Sequence, residues 1–351
     1  MQRRQLSNRP DAISFSSNDY LGLSQHPVLL DAGLRAAHDV GTGSQGSRLL
    51  GGNYRLLSDL ETAISQATDK SSLVFNSGYH ANVALLSSLP SANDLIVMDK
   101  LCHASLIDGA RLSPAPLKRF RHNDMAHLIT ILETANYDTA WIVTESLFSM
   151  DGDRAPLVEL ASIKQRFNAK LIVDEAHAVG CFGANSMGLS EQVGVMGDVD
   201  VLVGTFGKAF ASMGAFVATS SDRRDYLVNT ARPFIYSTAL PPFAVGVVLG
   251  CLENQAMLHE RRVQLCANAA YCRELLGDLA MPGEDYIVPV LVGDPKRALA
   301  LAETCQPTVV TAIRHPTVPK GTDRIRLSVT AGHERGDIEA VCTALKMGIN
   351  V

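Results

Sequence analysis

The sequence predicts an α/β fold: a mostly parallel, doubly wound sheet in a large domain, followed by a smaller α+β domain. Three observations carry this expectation. Short, apolar, β-branched runs bounded by turn residues, such as Leu171–Val173 and Val199–Val203, suit strands buried on both faces. From about residue 72 to 220 such runs alternate with stretches whose apolar residues recur at helical spacing, which is the pattern of βαβ units. After YSTALPP (236–242) the alternation gives way to a long helical stretch, three strands and two further helices. A chain of 351 residues is long enough for both domains.

In order, residues 1–24 form an N-terminal segment, 25–242 the large domain and 243–351 the small one. SFSSNDYLGLS (14–24) reads as a short extended segment whose Asn18 is free to face a site. Leu29, Leu30, Gly33, Leu34 and Ala37 mark a helix over Val28–Val40, and a glycine-rich loop (41–53) leads to a second helix around Leu57–Ala67. Residues 72–89 read as strand, Ser77-Gly78 turn and helix. The first turn of that helix leaves backbone N–H groups unpaired, a natural seat for a phosphate. Strands follow at Asp94–Met98 and Trp141–Thr144, with helices at Leu128–Ala135 and Leu157–Phe167 around the latter. In the small domain a helical stretch covers 243–276. Strands lie near Tyr286–Val292, Thr308–Ile313 and Arg324–Thr330, with helices at 295–305 and 334–346.

Composition excludes several classes. Hydrophobic residues make up 46% and charged residues 19%, as in a globular protein. A net charge of −5 without a Lys/Arg block argues against a nucleic-acid partner. Pro241–Leu252, the most apolar long stretch, is too short and proline-headed to span a membrane. No apolar run follows RQLSNRP as a secretory signal would require. Seven cysteines without a C-x-x-C pair suggest neither a metal site nor a disulfide framework, so a cytoplasmic protein is the expectation.

The chemistry gathers between Leu171 and Phe210. The strand at Leu171–Val173 ends on Asp174, with His177 three residues on. The strand at Val199–Val203 ends on Gly204 and Thr205, with Lys208 just beyond. Carboxyl ends of parallel strands face the binding crevice, so these four groups converge there. An amine that bonds an aldehyde, beside a carboxylate that keeps a ring nitrogen protonated, suits pyridoxal phosphate. A desolvated lysine loses its proton more readily, as that chemistry needs. Alone, Lys208 would read as a surface lysine in a glycine-rich loop; the company of Asp174 and His177 reverses that reading. His103 reads either as a satisfied loop histidine or as a flat ring to stack on a pyridine. Ser149 is open between a turn residue and a cofactor contact, and Tyr79 between a core aromatic and a site residue. Alternation puts Arg324 and Arg326 on one strand face, as an exposed pair or as a guanidinium fork for a substrate carboxylate.

Two motif matches lack their context. Asp174-Glu175-Ala176-His177 is spelled like a helicase box, but no phosphate loop precedes it: Lys208 is followed by alanine, and position 202 is leucine. Gly41–Gly46 matches G-x-G-x-x-G but follows a helix, not a strand, so a loop lining a site or an interface is the better reading.

Taken together, SSNDYLGLS, NSGYHAN, CHASLIDGARLS, FRHND, TESLFSMDGD, LIVDEAHAVG, TFGKAF, IYSTALPP and TAIRHPTVPKGTDRIRLSVTAGHE span nearly the whole chain. They resemble the α-oxoamine synthases, which are fold-type I pyridoxal phosphate enzymes. The resemblance implies that Lys208 bonds the cofactor and moves the substrate α-proton. Asp174 would meet the ring nitrogen, His177 the phenolic oxygen and His103 the ring face. Gly78, Tyr79 and Thr205 would hold the phosphate, and Ser149 would touch the cofactor. Arg326 with Asn18 would bind an amino acid carboxylate, with Arg314 and Thr317 beside the substrate. It further implies a homodimer with the active site at the interface, YSTALPP reaching the partner's phosphate site. The reaction would be condensation of L-alanine with a pimeloyl thioester, on coenzyme A or a carrier protein. A glycine-using synthase or ligase and a catalytically silent partner subunit are the alternatives. Family members carry a helical segment before SSNDYLGLS, where this chain has thirteen residues. Arg3, Arg4 or Arg9 would have to replace a family arginine toward the acyl thioester.

Overall fold

The computed structural model describes residues 12–349, which divide into two compact units. One comprises Leu21–Ser149 and Asp153–Arg262; the other comprises the chain from Val263 on, Met150–Gly152 and the segment up to Tyr20.

The larger unit is built on a seven-stranded sheet. Its strands are β1 (Ser71–Phe75), β2 (Leu95–Asp99), β3 (Leu117–Phe120), β4 (Ala140–Glu145), β5 (Lys170–Asp174), β6 (Val201–Thr205) and β7 (Ala215–Thr219), in the order β1-β7-β6-β5-β4-β2-β3. Neighbours from β3 to β6 run parallel, and only β7 is reversed, pairing antiparallel with β1 and β6. The central strands are buried along their whole length because helices cover both faces, which is why they read as unbroken apolar runs. The expected fold class is what the chain adopts. The second apolar run is registered two residues later than Val199–Val203, as β6 (Val201–Thr205). Asp200 turns aside there, its carboxylate drawing in Lys164, Lys170 and Arg223.

The helices of this unit are α1 (Pro27–Val40), α2 (Arg55–Thr68), α3 (Gly78–Ser88), α4 (Ala104–Leu112), α5 (Met125–Thr134), α6 (Leu157–Arg166), α7 (Leu189–Gln192), α8 (Ser221–Thr230), α9 (Arg232–Ile235) and α10 (Pro242–Glu253). Side-chain caps start several of them: Ser77 accepts from the His80 N–H at α3, and Asp124 from the His127 N–H at α5. The helical stretch at 243–276 is two helices, α10 and α11 (Gln255–Leu276). The break is Asn254, which leaves helical geometry and returns its amide to the Gly250 carbonyl at 2.7 Å. α10 stays with the larger unit because it crosses α1 through small residues: a Cβ on Gly246 would lie 2.5 Å from Ala36 Cβ, and one on Gly250 2.8 Å from Ala32 Cβ. The unit boundary therefore falls inside α11, after Arg262, and not at 242.

The smaller unit holds a three-stranded antiparallel sheet, β8 (Ile287–Leu291), β9 (Thr311–Ile313) and β10 (Arg324–Ser328), in the order β8-β10-β9. Helices α12 (Pro295–Thr304) and α13 (Arg335–Ile349) accompany it. The segment before Tyr20 joins this unit by backbone bonds from Phe15 to Val309 (2.8 Å) and from Ser328 to Phe15 (2.7 Å). No helix among the described residues is long and apolar enough to cross a membrane.

Candidate active site

In the larger unit the carboxyl ends of β4, β5 and β6 and the turn after β1 open on one cavity of about 340 Å³. Gly78, Tyr79, His103, Asp174, His177, Thr205 and Lys208, all singled out in the sequence, line it. Asn82, Ser105 and Glu145 line it too and escaped that reading. Ser149 lies outside the lining, in the loop after β4. A larger, open groove of about 510 Å³ sits at the opposite strand ends, around Lys70, Asp200 and Arg223, without a comparable acid–imidazole–amine set.

Local geometry explains the convergence. Lys208 sits in a tight loop between β6 and β7, closed by Phe206 N–H to Gly214 O (2.9 Å) and Ser212 N–H to Phe206 O (2.9 Å). Gly78 begins α3 so close to β6 that a Cβ would stand 2.6 Å from Thr205 Cγ2. Only glycine allows this approach. The first N–H groups of α3 therefore lie beside the Thr205 side chain at the cavity wall.

Asp174 is 4% exposed; one oxygen accepts from the Ala176 N–H (2.9 Å), the other from Asn82 Nδ2 (2.7 Å). The same amide nitrogen donates to Ser105 Oγ (2.9 Å). That hydroxyl stands 2.8 Å from His103 Nδ1, which also takes the Ser105 N–H at 3.2 Å. Since a backbone N–H donates to Nδ1, the His103 proton belongs on Nε2 and the ring is neutral. Burial pulls the imidazole below its usual range, and the Lys208 charge adds to this against the pull of Asp174. Glu145 lies opposite Asp174 in the β4–β5 register and accepts from the His103 N–H at 2.6 Å. Burial first, then the neighbouring Asp174 charge, push its carboxyl up to about 8.

These residues fit a phosphorylated pyridine. An acid is fixed for the ring nitrogen, an imidazole and an amine lie on the same wall, and a helix N-terminus with a hydroxyl waits for the phosphate. Asn82 Oδ1 is buried there with no hydrogen-bond partner, an acceptor left over for a bound molecule. Glu145 announces itself in sequence only weakly, as the acid ending an apolar run in the way Asp174 ends its own. Asn82 has no local signal, because its partner is 92 residues away.

In the smaller unit, Arg326 is 6% exposed in the middle of β10. Its guanidinium reaches Ser328 Oγ (2.5 Å), Asn18 Oδ1 (3.3 Å) and the Tyr20 hydroxyl (3.3 Å), so Asn18 and Arg326 are brought together as expected. Arg324 is buried as well and pairs with Asp151 at 2.6 Å, which rules out the exposed-pair reading. Arg314 and Thr317 occupy the turn after β9, joined by Thr317 N–H to Arg314 O (2.9 Å). Arg3, Arg4 and Arg9 lie outside the described residues.

The family model for aminotransferase class I and II matches residues 10–345. An 8-amino-7-oxononanoate synthase of Chlorobaculum parvum is 44% identical over 349 residues, spanning 96% of this chain and 89% of that protein. Among solved structures, an SPT with PLP superposes with a TM-score of 0.91 at 30% identity, over 96% of this chain and 87% of the other. An 8-amino-7-oxononanoate synthase from Francisella tularensis superposes with a TM-score of 0.83 at 28% identity, over 97% and 98%.

Proposed function

The chain belongs to the aminotransferase class I and II family, and from this premise we propose that it is a pyridoxal-phosphate-dependent acyltransferase of the 8-amino-7-oxononanoate synthase kind. It condenses L-alanine with a pimeloyl thioester, on coenzyme A or a carrier protein, giving 8-amino-7-oxononanoate, carbon dioxide and the free thiol in biotin biosynthesis. The observation that carries this reading is the meeting of Lys208, Asp174, His177 and His103 on one cavity at the strand ends.

When bound, the cofactor supplies an electron sink for the charge left at the α-carbon of the amino acid. The protein does the rest. Lys208 holds the cofactor and then carries the proton taken from Cα. Asp174, aimed by Asn82 and the Ala176 N–H, would face and balance a positive ring nitrogen. His177 meets the phenolic oxygen. Gly78, Tyr79 and Thr205 seat the phosphate, with Ser149 as a further contact. His103, neutral with its proton on Nε2, would cover the ring face and assist decarboxylation and reprotonation as a hydrogen-bond donor from Nε2. Arg326 with Asn18 takes the alanine carboxylate, and Arg314 and Thr317 lie beside the substrate.

We assign the enzyme to a cytoplasmic homodimer whose active site lies at the interface. Exposed Leu50, Leu112 and Tyr236 are large apolar side chains suited to being covered by a second copy. For the domains we keep the reading of an N-terminal segment to residue 24 and a small C-terminal domain, its start moved to Val263.

The test is an assay of alanine and glycine against several acyl thioesters with the loaded protein. Borohydride reduction followed by peptide mapping then identifies the cofactor-bearing residue. Alanine with pimeloyl thioester should release thiol and carbon dioxide, and the label should sit on Lys208. A preference for glycine would move the protein to another member of the family. Full turnover by Lys208→Ala would end the reading altogether.

A further inference from the structure

The FRHND stretch (120–124) has no part in the chemistry above, yet its histidine ties together two loops of the cavity wall. His122 Nδ1 lies 3.0 Å from Asp99 Oδ1, and Nε2 lies 2.8 Å from Asp153 Oδ2. Asp99 is fully buried, and its two oxygens also accept from the Leu101 N–H (2.8 Å) and the Asn123 N–H (2.9 Å). The backbone donors on Asp99 and the Asn123 amide on Asp153 leave an acceptor oxygen facing each ring nitrogen, an arrangement that suits a hydrogen on both nitrogens of His122, although Asn123 Nδ2 also lies 3.4 Å from Nε2. Asn123 reinforces the bridge from a left-handed conformation (φ 50°), sending Nδ2 to Asp153 Oδ2 (2.9 Å) and to the Arg154 carbonyl (3.1 Å). The Phe148 ring meets the imidazole edge-on at 4.5 Å.

The two carboxylates belong to the loops that deliver lining residues. Asp99 ends β2 and sets the turn leading to His103. Asp153 closes the loop that follows Glu145, through Phe148 N–H to Asp153 O (2.9 Å). His103 and Glu145 are themselves joined at 2.6 Å.

We propose that His122 is a positioning residue: a constitutively charged imidazolium that locks the Asp99 and Asp153 loops together and so fixes His103 against the cofactor. The lock rests on the proposed function only for what His103 touches. Burial opposes the charge, but the hydrogen bonds that the ring gives to Asp153 and Asp99 outweigh it and hold His122 up at about 10. The other charges nearby are engaged elsewhere. Arg121 pairs with Asp124 at 2.7 Å, Arg119 bonds the Lys100 carbonyl, and the Arg154 guanidinium lies over Phe182 at 5.2 Å.

The experiment compares wild type with Asp153→Asn. Ring protonation is followed by histidine ¹⁵N NMR, with His122→Gln identifying the resonance. Pyridoxal phosphate dissociation constants come from equilibrium dialysis between pH 6 and 9. Wild-type His122 should stay doubly protonated throughout. In Asp153→Asn the ring loses an anionic acceptor and should shed its proton within this range. The ratio of mutant to wild-type dissociation constant should then climb about tenfold along the ring's own titration. A wild-type ring that titrates near 6.5, readable even if the mutant does not fold, overturns the proposal. So does a ratio that stays constant with pH, the mark of a merely structural role. Cofactor binding that behaves as expected without condensation of alanine would sink the function and leave the lock standing.

Discussion

Gly78→Ala is the sharpest test of how the cavity is assembled. The added Cβ would stand 2.6 Å from Thr205 Cγ2, about 1 Å short of the roughly 3.5 Å at which two carbons pack comfortably. Thr205 has little room to retreat: it is 9% exposed, β-branched, and its hydroxyl reaches the Ala176 carbonyl at 3.3 Å. Either the first turn of α3 moves or β6 does, and overpacking of this kind costs about 1–3 kcal/mol. That is a fall in Tm of roughly 2–10 °C for a unit of this size. Because the strain falls where α3 and Thr205 would hold the phosphate, pyridoxal phosphate affinity should drop by about 5- to 100-fold, since each 1.4 kcal/mol is worth tenfold. The assays are differential scanning calorimetry of the apoprotein and equilibrium dialysis of the cofactor. Thr205→Ser removes the offending methyl and keeps the hydroxyl, so the double variant should recover most of both losses. Wild-type Tm and affinity in Gly78→Ala, or no recovery in the double variant, would refute the close approach as the reason for glycine.

Two further outcomes follow from the polar groups. Glu145 titrates near 8 in the folded protein against 4.5 as its ordinary value, so the folded state holds a proton that the unfolded state has lost. Stability of the apoprotein should therefore fall as pH rises from about 4.5 to 8, by at most about 1.4 kcal/mol per unit, and flatten above that. Glu145→Gln should remove this slope, and thermal melts from pH 5 to 9 showing the same slope in both proteins would contradict it. Arg326→Lys loses the fork that can grip a carboxylate in two parallel bonds, so the KM for alanine should rise about 10- to 100-fold with a smaller change in kcat. An unchanged KM would remove Arg326 from the substrate site.

Much of the site was legible because its chemistry sits at strand ends. Asp174, Thr205 and Lys208 each follow a short buried run, and the topology of parallel strands obliges such positions to converge. Lys208 stands out only in the company of Asp174 and His177, at the end of the neighbouring core strand. Glu145 obeys the same rule but was passed over, since an acid after TrpIleValThr looks no different from a strand-ending surface charge until the strand beside it proves to end on Asp174. Asn82 and Ser105 lie inside helical stretches as ordinary polar residues. What makes them part of the site is a hydrogen-bond chain that links α3, α4 and β5 across the fold.

The sequence by itself determined the fold class, the strands β1, β2, β4, β5 and β6 but not β3 or β7, and the identity of the amine, acid and imidazoles, because periodicity and strand-end placement are local properties of the chain. Tertiary structure decided the reversal of β7, the break at Asn254, the attachment of α10 to α1, and the protonation of His103, Glu145 and His122. Each of these depends on which distant groups share a buried space, and hydrogen bonds and desolvation act through that space without regard to separation along the chain.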